Sequence, residues 1–353
     1  MNLDELVTEV FKIIKPTTAD DNARKTAFNH IVQVIKKTKK IDEMPELRII
    51  PYGSSESELH TKTSDIDVSI HVTQPSPDLL QNVAEACIKD EDTCKEVKVH
   101  PEGRVPVVKL TIKAPYEINC DITINNDMGV FSTVILKEIA KKRPQIKDLV
   151  LLVKRWCTAA DLCDRHATLP CYPLSEFANL KITDSHPEEV IRAAIGEYFG
   201  REEEPTGEGA GKLFFEFITM FQDLEKKSKD AYISTFEGKW TNYVKKQNQH
   251  TILLIEDPFE RMRGGPLKSP FARIKDRRPE NILLNTDHRH LKRISDAFKN
   301  TYKEIIGKNK RTSILHKMMG PNVEKRRAQT GFNIRATLDP ATKKILKQAP
   351  KLL

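Results

Sequence analysis

Two aspartates separated by a single residue are the first feature of this sequence that could perform chemistry. Asp65 and Asp67 lie in a segment, residues 65–72, in which polar and apolar residues alternate. Such alternation predicts a β-strand with one buried face, so both carboxylates would leave the strand on the same side. Two negative charges side by side are unfavourable unless a cation lies between them. Because oxygen ligands suit Mg²⁺ or Mn²⁺, the pair predicts a divalent-metal site.

A glycine–serine pair stands shortly before these aspartates. Gly53 and Ser54 follow an apolar segment, and ten residues separate Ser54 from Asp65. Glycine has no side chain, so a phosphate can approach the backbone N–H groups closely, and the serine hydroxyl adds a further donor. A D-x-D pair alone also occurs on exposed edge strands. The turn in front of it favours a site for a metal-bound polyphosphate.

A third carboxylate, Asp121, lies on the polar side of a second alternating segment, residues 116–124. Taken alone, Asp121 could equally be an isolated surface residue. If its strand neighbours the strand of Asp65 and Asp67, three carboxylates converge. Three carboxylates can hold two metal ions, which is the arrangement that serves in-line phosphoryl transfer.

The remaining hydrophobic patterns predict the elements that must position these carboxylates. Up to about residue 130 the pattern is mixed, and beyond it helical periodicity dominates. We therefore predict an α+β fold with a small mixed sheet, followed by a mainly helical part. The predicted strands are 47–52, 65–72, 105–113 and 116–124, and the predicted helices are 3–11, 20–40, 77–89, 130–142, 146–163, 211–221 and 288–306.

Composition narrows the cellular setting and the class of partner. The chain has 353 residues, a formal net charge of +8 and six cysteines, none of them in a C-x-x-C pair. We interpret these cysteines as reduced thiols of an intracellular protein, cytoplasmic or nuclear. No segment approaches the roughly 20 apolar residues that a membrane helix needs. The excess of Lys and Arg favours a polyanionic partner, nucleic acid before an anionic membrane, although a basic protein without such a partner has the same composition.

Four motifs, taken in order, resemble those of the non-canonical poly(A) polymerases and terminal uridylyltransferases, which belong to the DNA polymerase beta-like nucleotidyltransferases. The resemblance extends over roughly residues 45–305. Its motifs occupy residues 53–67, 120–126, 151–156 and 255–260.

This resemblance implies a nucleotidyltransferase catalytic domain over residues 41–129. A helical central and poly(A)-polymerase-associated domain would cover residues 130–307, and N-terminal helices in residues 1–40 would pack on it. Residues 308–353 would form a basic tail. The cleft between the two domains would hold the nucleotide and the RNA end.

The resemblance also implies a role for each matching residue. Asp65, Asp67 and Asp121 would be the catalytic, metal-binding triad. The nucleotide would be bound by Gly53 and Ser54 at the phosphates, Asn126 at the ribose, Lys154 at the triphosphate, Tyr172 against the base, and Asp257 and Glu260 near the base edge.

Several of these nucleotide contacts have alternatives in the sequence itself. Lys154 could be a solvated helix residue, and Tyr172 could be a core aromatic. Asp257 lies where a turn could end a strand, and Asn125 rather than Asn126 could contact the ribose.

The implied activity is template-independent addition of UMP or AMP, from UTP or ATP, to the 3′ end of single-stranded RNA. Two Mg²⁺ or Mn²⁺ ions would assist, and pyrophosphate would leave. Where the uridylyltransferases that best exclude ATP carry a histidine, this chain has Arg263, so base choice stays open. Basic clusters such as 141–143 could contact the RNA backbone. An RNA-binding protein partner could supply sequence specificity.

Two other functions are compatible with the sequence. One is nucleotidyl transfer to an acceptor other than an RNA end, as in oligoadenylate synthesis. The other is a non-catalytic RNA-binding scaffold that keeps the fold, for which Thr158 and Cys171, in place of the usual lysine and serine, would be the sign.

Overall fold

The structure is a computed structural model of the chain. It describes residues 3–38, 41, 43–102, 105–113, 115–162, 209–234, 239–242, 253–255, 288–307, 314 and 318. These residues form two compact units. One contains residues 13–140, and the other contains residues 3–12 together with the described residues from 141 to 318.

The unit of residues 13–140 is built around a five-stranded sheet. Its strands are β1 (Arg48–Tyr52), β2 (Ile66–His71), β3 (Cys94–His100), β4 (Val107–Ile112) and β5 (Ile118–Ile124). They are arranged in the order β1-β2-β5-β4-β3. The β2–β5 pair is parallel and the other neighbouring pairs are antiparallel. The sheet is therefore mixed, as the sequence predicted.

One face of this sheet is covered by helices and the other carries the acidic residues. Alternation in β2 places Ile66, Val68 and Ile70 on the covered face, where none is more than 3% exposed. The covering helices are α2 (Thr18–Lys36) and α3 (Leu79–Lys89), whose apolar side chains join the same core. Burying each large apolar side chain contributes about 1.5–3 kcal/mol, so this face anchors the sheet.

The position of α2 differs from the expectation that the N-terminal helices pack on the helical domain. Ala27, Ile31 and Val34 recur at spacings of four and three, and all three are buried in the core of the sheet. This spacing forms one stripe on a helix, but it cannot reveal which partner the stripe will meet. The division into residues 1–40, 41–129, 130–307 and 308–353 stays a proposal.

The other unit is mainly helical. It contains residues 3–12 of α1 (Leu3–Ile14), and residues 141 and 142 of α4 (Asp127–Lys142) also fall in it. Its other elements are α5 (Pro144–Ala159), α6 (Ala210–Phe221), α7 (Leu224–Lys227), β6 (Ala231–Ser234), β7 (Lys239–Asn242) and α8 (His288–Ile306). Within the described part of the chain, no helix is long and apolar enough to cross a membrane.

Trp156 of α5 lies at the centre of this helical core. It is 1% exposed, and its ring packs against Phe214 of α6 and Phe298 of α8. Its indole Nε1–H donates a hydrogen bond to the hydroxyl of Thr301 at 2.9 Å. The indole of Trp156 therefore packs α5 against α6 and α8, and its single N–H donor is hydrogen-bonded.

Replacing Thr301 with valine should destabilise this unit, because the buried indole N–H would lose its acceptor. We expect the free energy of unfolding to fall by about 1–3 kcal/mol, measured by urea denaturation. The matched control is Thr158→Val, since Thr158 is exposed on α5 and should change stability by less than about 0.5 kcal/mol. Equal effects of the two variants would contradict the structural role of this hydrogen bond.

Strand β3, the pair β6–β7 and the four-residue helix α7 were not predicted. Strand β3 has an irregular pairing with β4 between Lys95 and Lys98, which interrupts the period-two alternation on which strand prediction depends. The short pair β6–β7 was also missed, because four-residue strands show too little periodicity to recognise.

Candidate active site

The structure places Asp67 and Asp121 directly side by side. Asp67 of β2 pairs in register with Asp121 of β5 in the parallel part of the sheet. Directly paired residues on neighbouring strands share a face, so both carboxylates lie on the face opposite the helices. Asp65 comes two residues before Asp67, just ahead of β2, and therefore reaches the same face.

The environment of Asp65 reflects this concentration of negative charge. Burial raises the pKa of the Asp65 carboxyl, and the nearby charge of Asp121 raises it further. A hydrogen bond from Asn119 and the positive charges of Lys109 and Arg24 oppose this rise. A divalent cation would act in the same direction as these groups and stabilise the ionised carboxylates.

Lys109 is a functional candidate that the sequence analysis did not name. It lies on β4 directly opposite Asp121, and its ammonium group donates to Asp121 Oδ2. In the described residues, no three His, Cys, Asp or Glu side chains are arranged to hold a metal ion. Asp121 is instead engaged with Lys109, so metal binding by all three carboxylates requires this lysine to give way.

The donor set nevertheless suits Mg²⁺ or Mn²⁺, which prefer carboxylate oxygens. The backbone at Gly53 leaves room for the Asp67 carboxylate. A Cβ atom at Gly53 would stand 2.0 Å from Asp67 Oδ2, a space that only glycine leaves open. Asp65, Asp67 and Asp121 are the residues that would hold the metal.

Gly53 makes the turn between β1 and the loop that leads to Asp65. Its φ of +76° lies in the left-handed region that favours glycine. Its N–H donates to Thr133 Oγ1 at 2.7 Å, and that hydroxyl donates to the carbonyl of Gly129 at 2.7 Å. These bonds tie the turn to α4, so that Gly53 and the following Ser54 are fixed beside Asp67.

Asn125 and Asn126 have different tasks in the structure. The Asn125 side chain accepts from the N–H of Val72 at 2.9 Å and donates to the Val72 carbonyl at 3.0 Å. It therefore extends the pairing of β2 with β5 and is occupied by the backbone. The ribose contact of Asn126, with Asn125 as the alternative, stays a prediction.

Asn126 is held by two hydrogen bonds of its side-chain amide and one of its backbone N–H. Its Nδ2 donates to the hydroxyl of Tyr52 at 3.2 Å, and its Oδ1 accepts from the N–H of Gly129 at 3.0 Å. Its backbone N–H donates to Ser69 Oγ at 3.0 Å. A side-chain amide has two N–H donors and two lone pairs, so its bonds to the described residues leave one of each for a ligand.

Tyr52 is a second residue that the sequence analysis missed. Burial raises the pKa of its phenol, so the hydroxyl stays neutral at pH 7. This hydroxyl also accepts from Thr123 Oγ1 at 3.4 Å. Tyr52 is thus a positioning residue for Asn126, and the sequence signal, a tyrosine directly before Gly53, is too slight to reveal it.

Of the other predicted nucleotide contacts, the structure describes only Lys154. Lys154 lies half-buried on α5, in the helical unit, and its role at a triphosphate stays a prediction. Tyr172, Asp257 and Glu260 lie outside the described residues.

A mixed sheet that presents acidic residues on adjacent strands beside a glycine–serine turn defines the nucleotidyltransferase class. Comparisons with known proteins agree. Residues 3–141 match the family model of the central palm domain of mitochondrial-like poly(A) RNA polymerases. A crystal structure of the Cid1 poly(U) polymerase with MgGTP bound has a TM-score of 0.66 at 20% identity, covering 88% of this chain and 98% of that chain. This likeness shows that the fold is shared.

Curated relatives extend the similarity beyond the palm domain. Protein HESO1 of Arabidopsis thaliana is 23% identical over 368 residues, covering 91% of this chain and 67% of that protein. Terminal uridylyltransferase cid1 of Schizosaccharomyces pombe is 25% identical over 297 residues, covering 71% of this chain and 70% of that protein. These comparisons confirm the predicted resemblance to the non-canonical poly(A) polymerases and terminal uridylyltransferases.

Proposed function

We propose that this protein adds nucleotides to the 3′ end of RNA without a template, with release of pyrophosphate. The observation that carries the proposal is the pairing of Asp67 with Asp121 beside the turn at Gly53. This arrangement places metal-binding carboxylates next to a backbone that can accept phosphates. The relatives named above support the same reaction class.

Each residue of the site has its own role in nucleotidyl transfer. Gly53 and Ser54 bind the phosphates of the incoming nucleotide, and Asp65, Asp67 and Asp121 would hold the metal ions. Divalent ions, when bound, would neutralise the phosphate charge and lower the pKa of the RNA 3′-hydroxyl. That hydroxyl oxygen attacks the α-phosphorus, its proton passes to Asp121, and the bond to pyrophosphate breaks.

The proposed substrates are UTP and ATP. The matching family model is named for a poly(A) RNA polymerase, whereas cid1 is named a terminal uridylyltransferase. Asn126 is the proposed ribose contact, because its side chain is held in place and keeps a donor and an acceptor available. Tyr172, Asp257 and Glu260 are the proposed contacts of the base, and the choice between uracil and adenine stays open, because Arg263 stands where the most selective uridylyltransferases carry a histidine.

Primer extension tests this proposal. The full chain is given a 5′-labelled single-stranded RNA, Mg²⁺ or Mn²⁺, and each NTP separately, beside an Asp65→Ala control. We expect extension with UTP, ATP or both, and none in the control. Absence of extension by a folded protein, with NTP consumption that does not require RNA, would favour transfer to a different acceptor. Metal-dependent NTP binding without any turnover would favour the scaffold function.

Removing the Tyr52 hydroxyl should loosen Asn126 without disturbing the metal site. For Tyr52→Phe we expect the KM for the preferred NTP to rise about two- to tenfold, from the loss of one hydrogen bond, with kcat changed less than twofold. Discrimination against the 2′-deoxynucleotide should weaken. Tyr116→Phe is the matched control, because Tyr116 packs on the opposite, helix-covered face. Unchanged KM and sugar discrimination would contradict the positioning role.

A further inference from the structure

The edge strand β3 carries an irregularity that changes which side chains reach the active-site face. Lys95 pairs with Thr111 and Lys98 pairs with Lys109, so three steps along β3 match two steps along β4. The extra residue lies at Glu96, whose φ is +55°. In a regular strand, residues three apart would face opposite sides. The bulge therefore places Lys95 and Lys98 on the same face.

The pairing register then connects Lys98 to the catalytic carboxylates in a single row across all five strands. Tyr52 pairs with Asp67, and Asp67 with Asp121. Asp121 pairs with Lys109, and Lys109 with Lys98. Neighbouring strands are about 4.8 Å apart, so the backbone of Lys98 lies about 10 Å from that of Asp121.

This arrangement has two unfavourable features, and a polyanion would offset the first of them. Like charges directly opposite each other, here Lys98 and Lys109, destabilise an antiparallel pair. A left-handed backbone at a residue other than glycine, here Glu96, costs about 1–2 kcal/mol. Bulges of this kind commonly occur beside active sites, where they redirect a side chain.

The charges along the row are distributed unevenly. Lys109 is paired with Asp121, and Lys95 is paired with Glu117. Lys98 is exposed, and no ion pair is found for it in the part of the chain that the structure describes. Of Lys95, Lys98 and Lys109, Lys98 is therefore the one that the described residues leave to a ligand.

We propose that Lys98 and Lys109 form a cationic track that binds the phosphates of the RNA strand just upstream of its 3′ end. This inference rests on the proposed function. The turn at Gly53 and Ser54, assigned to the incoming nucleotide, lies at the β1–β2 side of the carboxylates. The lysines lie at the β4–β3 side, where the acceptor strand must approach if nucleotide and acceptor flank the carboxylates. When the Asp121 carboxylate binds metal, the ammonium group of Lys109 would leave it and pair with an RNA phosphate instead.

Salt-dependent RNA binding tests the track. Fluorescence anisotropy of a labelled single-stranded RNA is measured with the full chain, without NTP, over a series of NaCl concentrations. For Lys98→Gln we expect affinity to fall about fivefold at low salt. The logarithm of the association constant decreases with the logarithm of the salt concentration. The steepness of this decrease should be smaller by about 0.7, the value for one phosphate contact on a single strand. Lys98→Arg should restore both quantities.

The matched control is Lys89→Gln, the same change of charge on α3, which packs on the opposite face of the sheet. A salt slope for Lys98→Gln equal to that of this control would overturn the proposal. So would a raised KM for NTP with unchanged RNA affinity, which would assign Lys98 to the triphosphate. Because binding is measured without nucleotide, a wild-type protein that binds RNA but fails to extend it would refute the proposed function and leave the track standing.

Discussion

Replacing Asp67 with asparagine is expected to reduce the rate of primer extension by roughly 1,000-fold or more. The amide keeps the shape of the side chain but lacks the negative charge with which Asp67 would bind a metal ion. Loss of a metal ligand at a two-metal site removes several kcal/mol of transition-state stabilisation, and each 1.36 kcal/mol is tenfold in rate. Single-turnover extension at saturating NTP and Mg²⁺ measures the effect on the chemical step.

The matched control for this change is Asp92→Asn, the same substitution at an exposed residue between α3 and β3. Activity should stay within twofold of the wild type. Because Asp67 is half-buried among like charges, the fold of Asp67→Asn should be as stable as the wild type or slightly more stable. Full activity of a folded Asp67→Asn protein would exclude the metal-binding role of this carboxylate.

Adding one methyl group at Gly53 is expected to have the second-largest effect. The new Cβ would lie 2.0 Å from Asp67 Oδ2, so the carboxylate would have to leave its position. The φ of +76° adds strain for any other residue. We expect Gly53→Ala to reduce extension by at least about 100-fold and to lower the free energy of unfolding by about 1–3 kcal/mol. Extension assays and urea denaturation measure the two effects separately.

A double-mutant comparison shows whether Gly53→Ala acts through Asp67. If the methyl group impairs catalysis by displacing this carboxylate, the double variant with Asp67→Asn should be scarcely less active than Asp67→Asn alone. If instead the loss of activity in the double variant equals the product of the two single losses, Gly53 acts independently of Asp67, for example by binding phosphate through its own backbone.

The strands that carry the carboxylates could be predicted because polar and apolar residues alternate along them. Ile66, Val68 and Ile70 alternate with polar residues, and the same holds around Asp121. Strand β3 could not be predicted in this way, since its bulge breaks the alternation that the prediction requires. Local pattern reveals which residues share a face of one strand, but it does not reveal an irregularity in pairing with a neighbour.

The site could be predicted only as a set of residue types. Asp65, Asp67, Asp121 and Gly53 were recognised because their spacing matches a known motif. The pairing of Lys109 with Asp121, and of Tyr52 with Asn126, depends on contacts between elements distant in sequence. Register between such strands is set by packing of the whole sheet, so no local window contains it.

The two outer strands of the sheet also bear on how this protein behaves in a crowded solution. Pro51 in β1 has no N–H to donate, and β3 combines its bulge with exposed lysine. Both features disfavour the addition of a foreign strand, which is the usual route to sheet extension and aggregation. Any protein partner of this unit is therefore expected to bind through side chains on a face or a helix, and not by lengthening the sheet.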